Sequence, residues 1–278
     1  VIDSVRRFLF EALDVRGAVV TLGNAWHEMH AGRDDPSAVA ALLGELAAVT
    51  ALIAGNLKMP GRLTFQLQGH GLVSLLMVDC DEQLRLRGTA RLRENAAVPP
   101  APTFTELLGD GQLVLTLQTG FGDPYQSIVP LAGDSLTEVF AHYLEQSEQQ
   151  PAFLRLTASE DFAGGLFLQK LPDADAKDAD GWNRLTQLAA TLKPHELAGP
   201  VTGLLTNLFP EEDIRLFDPR PVRYHCPRDE QKVLAMLKSL GRAEVEAALA
   251  ELGEIAVEDD ICRQNYRFGP DIVQKLFD

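Results

Sequence analysis

Tyr224-His225-Cys226-Pro227-Arg228-Asp229-Glu230 and, further on, Asp259-Asp260-Ile261-Cys262 are the stretches that decide how this chain reads. A structural zinc site takes four thiolate or imidazole ligands in closely spaced pairs. Each of these cysteines stands where such a pair is expected, and each stands alone. Tyr224 holds the first position of a Cys-x-Cys spacing and Asp259 the first position of a Cys-x-x-Cys spacing. Between them the pattern predicts two short helices. Pro227 suits a first helical position; Val233, Leu234, Leu237 and Leu240 recur at helical spacing before Gly241, and Val245, Ala248, Leu249 and Leu252 do so before Gly253. Tyr266-Arg267-Phe268 reads as a short strand, with Pro270 opening a last helix to Phe277. A module of this size has a small core and needs a staple.

The segment from Phe217-Asp218-Pro219 through Cys226-Pro227-Arg228-Asp229-Glu230, then Gly253-Glu254-Ile255 and Cys262-Arg263-Gln264-Asn265-Tyr266-Arg267-Phe268, resembles the switch domain of the 33-kDa chaperonin family of redox-regulated heat-shock chaperones. Against that family's pattern, Tyr224 and Asp259 replace two of the four switch cysteines and Arg263 replaces a glycine. Val15-Arg16-Gly17, Phe65-Gln66-Leu67-Gln68-Gly69, Arg87-Gly88-Thr89-Ala90-Arg91, Tyr125-Gln126-Ser127-Ile128-Val129, Ser147-Glu148-Gln149-Gln150-Pro151 and Ala163-Gly164-Gly165 are similar to family segments in family order, so the resemblance covers nearly the whole chain.

The resemblance implies an ATP-independent holdase that captures unfolding or partly folded client proteins on apolar surface of its main domain and linker. It also implies homodimers in some conditions, hand-off to ATP-dependent chaperones, and a cytoplasmic stress-response role. Because the family's four cysteines gather around one metal, the redox-switch candidates Cys226 and Cys262 are expected to lie close in space, within reach of a disulfide. Such a bond would stabilise the module that oxidation loosens elsewhere in the family. A different class of function is a non-catalytic interaction module that kept the architecture and lost the switch.

Read without the family, the cysteines stay open. Cys226, before Pro227 and beside Arg228, fits a thiolate-favouring redox site and equally a small buried hydrophobe. Cys262 inclines to the second reading, because Asp259 and Asp260 disfavour another negative charge. For a metal the segment offers only Cys226, Cys262, His225 and Asp259, and the chain neighbours His225 and Cys226 are badly placed to reach one tetrahedral centre, so zinc, the one candidate cofactor, is not expected to bind. Tyr224 is expected to fill the missing ligand's space as a packed ring. Cys80 reads as structural, and the His27/His30 pair as a solvated helix face. Nucleotide-loop and nucleophile-elbow patterns are lacking, so no enzyme is expected.

A net charge of −15 argues against nucleic acid, which needs clustered Lys and Arg, and would help keep a complex with a sticky client dissolved. No apolar run is read as approaching a membrane span, and the N-terminus carries no signal-peptide pattern, so neither membrane nor export is expected. Three cysteines make no even disulfide framework, in keeping with a reduced compartment.

The expected fold class is α+β. Residues 1–172 read as a main client-binding and dimerisation domain, 173–220 as an acidic and helical linker, and 221–278 as the switch-like module. A long helix is predicted from Ser37 to about Leu57, and strands over Leu63–Gln68, Leu72–Val78, Leu84–Arg87, Phe153–Thr157 and Gly165–Leu171. Gln112–Leu117 and Tyr125–Leu131 read as a hairpin pair, and Ser135-Leu136-Thr137-Glu138 as a capping box opening a helix to about Gln149. Asp173 to Asp180 reads as a solvated acidic link. The short helical pieces after it, around 182–192, 196–197 and 201–208, must borrow stability from neighbours, which suits a region that unfolds on cue.

Overall fold

The computed structural model describes residues 3–57, 59–120, 122–259 and 261–277. The chain divides into two compact units, Val1–His225 and Cys226–Asp278.

In the first unit, β1 (Ser4–Phe10) and β2 (Val15–Leu22) form a hairpin, followed by α1 (Asn24–His30) and α2 (Ser37–Asn56). Next come β3 (Gly61–Gln68), β4 (Val73–Cys80), β5 (Arg85–Leu92), α3 (Phe104–Leu108), β6 (Gln112–Thr119), β7 (Tyr125–Val129), α4 (Leu136–Glu148), β8 (Ala152–Ala158) and β9 (Ala163–Lys170). The unit closes with α5 (Ala174–Lys177), α6 (Gly181–Ala190), a 3-10 turn (Pro194–Ala198), α7 (Val201–Leu208), β10 (Arg215–Leu216), β11 (Arg220–Pro221) and β12 (Arg223–Tyr224). One sheet runs β10-β1-β2-β9-β8, with β11 also pairing β1; the other runs β12-β5-β4-β3-β6-β7.

Helix α2 packs against strands of both sheets and is apolar on nearly every side, as a helix enclosed by core must be. Its alanines and Gly44 permit the close approach: a side chain at Gly44 would run into Ala158 of β8. The expectation that no stretch approaches a membrane span is corrected here, because α2 is long and apolar enough by composition. Its apolarity answers to burial inside the core, where 78% of that window is enclosed.

Glu45 is the only charged residue of α2, and desolvation pushes its carboxyl up to about 7 from 4.5. A folded-state value above the unfolded one means that the stability present below about pH 4.5 is lost as pH rises through about 7. Glu45→Gln is therefore expected to stabilise the protein by about 2 kcal/mol near pH 8 and to change little near pH 4. Urea unfolding at the two pH values measures this, and an equal gain at both would trace it to packing instead.

The β1-β2-β9 sheet is covered on both faces. Ala18, Val20 and Leu22 of β2 point into the core shared with α2, while Val15 and Val19 point into a second core with Phe8, Phe10, Leu166 and Leu168. The Phe8 ring lies over Gly17, its partner across the ladder, where any side chain would collide with it. The second core is completed by Ala174, Leu185, Ala189, Leu197, Leu204, Leu205 and Phe209, so the short helices after residue 173 do rest on a neighbour. The acidic stretch 173–180 includes α5, whose Ala174 is buried, and Lys170 and Lys177 pair with Asp175 and Asp14.

Ser135 caps α4 by accepting from the Glu138 amide, but Glu138 reaches back to the amide of Asp134, so the expected reciprocal box is only half made. A complete one stands at Thr103 and Glu106, opening α3.

In the second unit, α8 (Glu230–Leu240) and α9 (Arg242–Leu252) precede β13 (Ile255–Glu258), β14 (Asn265–Phe268) and α10 (Ile272–Phe277). The two strands form an antiparallel ribbon, and Val233, Leu237, Val245, Ile255, Tyr266 and Phe268 are among the residues of its core. Pro227 does not open a helix as expected: Asp229 accepts from the Lys232 amide and sets the cap, so α8 begins three residues later.

Candidate functional site

Cys226 and Cys262 are joined in a disulfide, with Cα atoms 5.7 Å apart across 36 positions of sequence. Both are half-buried. The loop before Cys262 is shaped by Asp259, whose carboxylate accepts from the amides of Ile261 and Cys262 at 2.8 and 3.1 Å. A carboxylate used in this way is a turn cap, which is why an Asp serves here. Asp260 lies outside the described residues. Arg263, where the family pattern has glycine, takes a left-handed backbone with φ +48°, a conformation that disfavours side-chain-bearing residues by about 1 kcal/mol.

A hydrogen-bonded brace runs beside the disulfide. The Gln264 side chain donates to the Cys226 carbonyl at 2.8 Å and accepts from the Tyr266 hydroxyl at 3.2 Å. That hydroxyl accepts in turn from the Asp229 amide at 2.9 Å, while the Arg228 guanidinium stacks on the Tyr266 ring and donates to the Asn265 carbonyl. The brace thus ties the Cys226 side of the bond to the Cys262 side. Arg228 is spent on the ring and the carbonyl, and the cap at Asp229 leaves Cys226 short of the α8 terminus, so the helix-dipole argument for a Cys226 thiolate does not apply. The one available signal was the pairing of Gln264 with Tyr266 two residues on.

Tyr224 and His225 belong to the first unit. Tyr224 forms β12 against β5, and its ring packs, half-buried, on the main core. His225 donates its backbone amide to the Leu86 carbonyl and is otherwise exposed. The residues that stood as metal candidates therefore have other employment: two thiols in a disulfide, one carboxylate capping a turn, one imidazole on the surface. That donor set does not fit a four-ligand zinc site. Among the described residues, no group of three or more His, Cys, Asp or Glu side chains is placed to hold a metal.

Cys80, at the end of β4, is fully buried, and burial together with the nearby Asp81 and Asp79 carboxylates pushes its thiol far above the ordinary range. Its reading as a structural residue agrees with that placement.

The chain is thus an α+β body followed by a small module that carries a disulfide. The model of the family described as Hsp33 protein matches residues 3–269, and the chain belongs to that family. A 33 kDa chaperonin of Neisseria gonorrhoeae is 38% identical over 277 residues, covering 99% of this chain and 91% of that protein. One from Methylobacillus flagellatus is 37% identical over 279 residues, covering 99% and 94%. The crystal structure of the 33 kDa chaperonin from Thermotoga maritima superposes with a TM-score of 0.79 at 19% identity, over 99% of this chain and 97% of that one. That likeness carries the fold, and the α+β class expected from the sequence is the one found.

Proposed function

We propose that this chain is an ATP-independent holdase whose redox and metal switch has been altered. Residues 1–172 act as the client-holding and dimerising domain, 173–220 as a removable helical cover, and 221–278 as the regulatory module. The observation that carries this reading is the second core. Phe8, Phe10, Val15, Val19, Leu166 and Leu168 form an apolar sheet face closed by helices of ten residues or fewer. Helices that short are marginal alone. Their departure would bare a contiguous apolar surface suited to unfolding proteins, which expose similar surface.

The partner class is thus unfolded or partly folded protein, with a second copy of the chain in some conditions and ATP-dependent chaperones downstream. Nucleic acid and membrane have no place in this reading, nor does catalysis, and the compartment is the cytoplasm. With a disulfide in place of four metal-bound thiolates, oxidation tightens the 221–278 module, so release of the cover answers to heat.

The test is suppression of aggregation of a heat-unfolding client, measured before and after peroxide for wild type and C226S/C262S. Activity is expected to appear on warming and to change little with peroxide. A large peroxide activation that the double variant lacks would show that two thiols suffice for an oxidant switch.

A further inference from the structure

The two sheets of the first unit have four ends between them, and three are guarded. The outer side of β1 is covered by the two-residue strands β10 and β11, and that of β5 by the two-residue β12. Edge strands so short give another chain little to pair with. Along β8, helix α4 supplies side chains to the backbone: the Ala152 amide donates to a Glu145 carboxylate oxygen and the Leu156 amide to the Thr137 hydroxyl, each at 3.3 Å.

The fourth end is β7. It pairs with β6 in unbroken register, and among the described residues no hydrogen bond from a loop, a helix side chain or another strand reaches its backbone on the far side. Tyr125-Gln126-Ser127-Ile128-Val129 contains neither charge nor proline, the usual guards of an edge. Tyr125 and Ile128 are 61% and 62% exposed. Ile128 stands beside Val114 on one sheet face, followed across the ladder by Gln66 and Met77, so the row behind it is uncharged. Pro124 and Pro130 bracket the strand, and the open edge ends with it after about 17 Å.

Unpaired backbone groups beside apolar side chains are a template for strand addition. A single strand edge of this length falls well short of the roughly 800 Å² that a stable dimer buries on each side. Two copies of a chain of net charge −15 also repel each other. The edge therefore suits brief pairing with an extended foreign segment better than a lasting contact between copies.

We infer that the outer edge of β7 is a strand-addition seat for an extended, uncharged, apolar segment of an unfolding protein, which pairs its backbone with β7 and lays a side chain on Ile128. The seat is open while α5, α6 and α7 are in place, so it meets a client before the second core is bared. Naming this partner rests on the holdase reading.

The probe is a short peptide alternating valine and threonine, with a lysine at each end, titrated into the full chain below the temperature at which client holding appears. A copy methylated on each of its central backbone nitrogens is the control. Backbone resonances and amide exchange of β7 report the contact. Saturable binding of the plain peptide is expected, with the outer β7 amides slowed at least about tenfold and those of α2 unchanged. Methylation should weaken binding at least about tenfold, because it removes several backbone hydrogen bonds. Ile128→Ser, a change at an exposed position, should weaken it about fivefold through lost apolar contact. Failure to saturate, equal binding of the methylated copy, or slowing confined to other strands would each overturn the assignment. So would β7 amides that are slowed without peptide as protein concentration rises, which would put a second copy on the edge. A client-aggregation assay on warming separates the two readings. Suppression with no β7 response removes the seat and leaves the holdase reading standing, whereas a β7 response with no suppression keeps β7 as a strand-addition seat and removes the holdase reading.

Discussion

Reduction of the Cys226–Cys262 disulfide, or the C226S/C262S substitution, is expected to destabilise the C-terminal unit by about 4 kcal/mol, the chain-entropy value for a loop closed over 36 positions. A core of this size supplies only about 3–5 kcal/mol by itself, so the reduced unit should stand at the edge of unfolding. Both tryptophans, Trp26 and Trp182, lie in the first unit, so their fluorescence will miss the event. Hydrogen exchange of the β13–β14 amides sees it directly. Their protection should collapse on reduction while that of α2 stays unchanged. Protection that survives reduction would mean that the Gln264–Tyr266 brace and the apolar core hold the unit without the bond.

Phe209→Ala should have a comparable effect in the first unit. Phe209 is 1% exposed and meets Phe10 edge to face at 5.1 Å, and Phe10 meets Phe8 in the same way at 5.5 Å. Removing a buried phenylalanine costs about 3–5 kcal/mol, and the loss falls on the contact between α7 and the sheet. The expected result is early exchange in α6 and α7, binding of an apolar dye at temperatures where wild type binds none, and client holding shifted to lower temperature. If exchange instead rises equally in α2 and in the β3–β4–β5 sheet, the cover does not leave as a unit and the proposed mechanism fails.

The elements most legible in the sequence were those with one buried face or an unbroken apolar pattern. Helix α2 and strand β3 fall in this group, the latter alternating Leu63, Phe65 and Leu67 inward against Thr64 and Gln66. Strand β2 escaped because both of its faces are buried, which erases the alternation that marks a strand. The start of α8 was placed too early because Pro227 and Asp229 are both credible openers, and only the hydrogen bond to Lys232 decides between them. At the candidate site, the closeness of Cys226 and Cys262 came from the family resemblance, because spacing alone left the cysteines open. The cap by Asp259 is local, reaching amides two and three residues on, whereas the bond from Gln264 to the Cys226 carbonyl joins parts of the chain 38 positions apart, which no local pattern encodes.

Cys80 supplies a clock for the first unit. Sealed at the end of β4 with its thiol held protonated, it can be labelled only while that strand is open. Under gentle conditions the labelling rate therefore counts openings of the β3–β4–β5 sheet, in a molecule whose other two cysteines are occupied with each other. A chain warmed until it holds clients, yet still slow to label, would be one that has shed its cover and kept its centre.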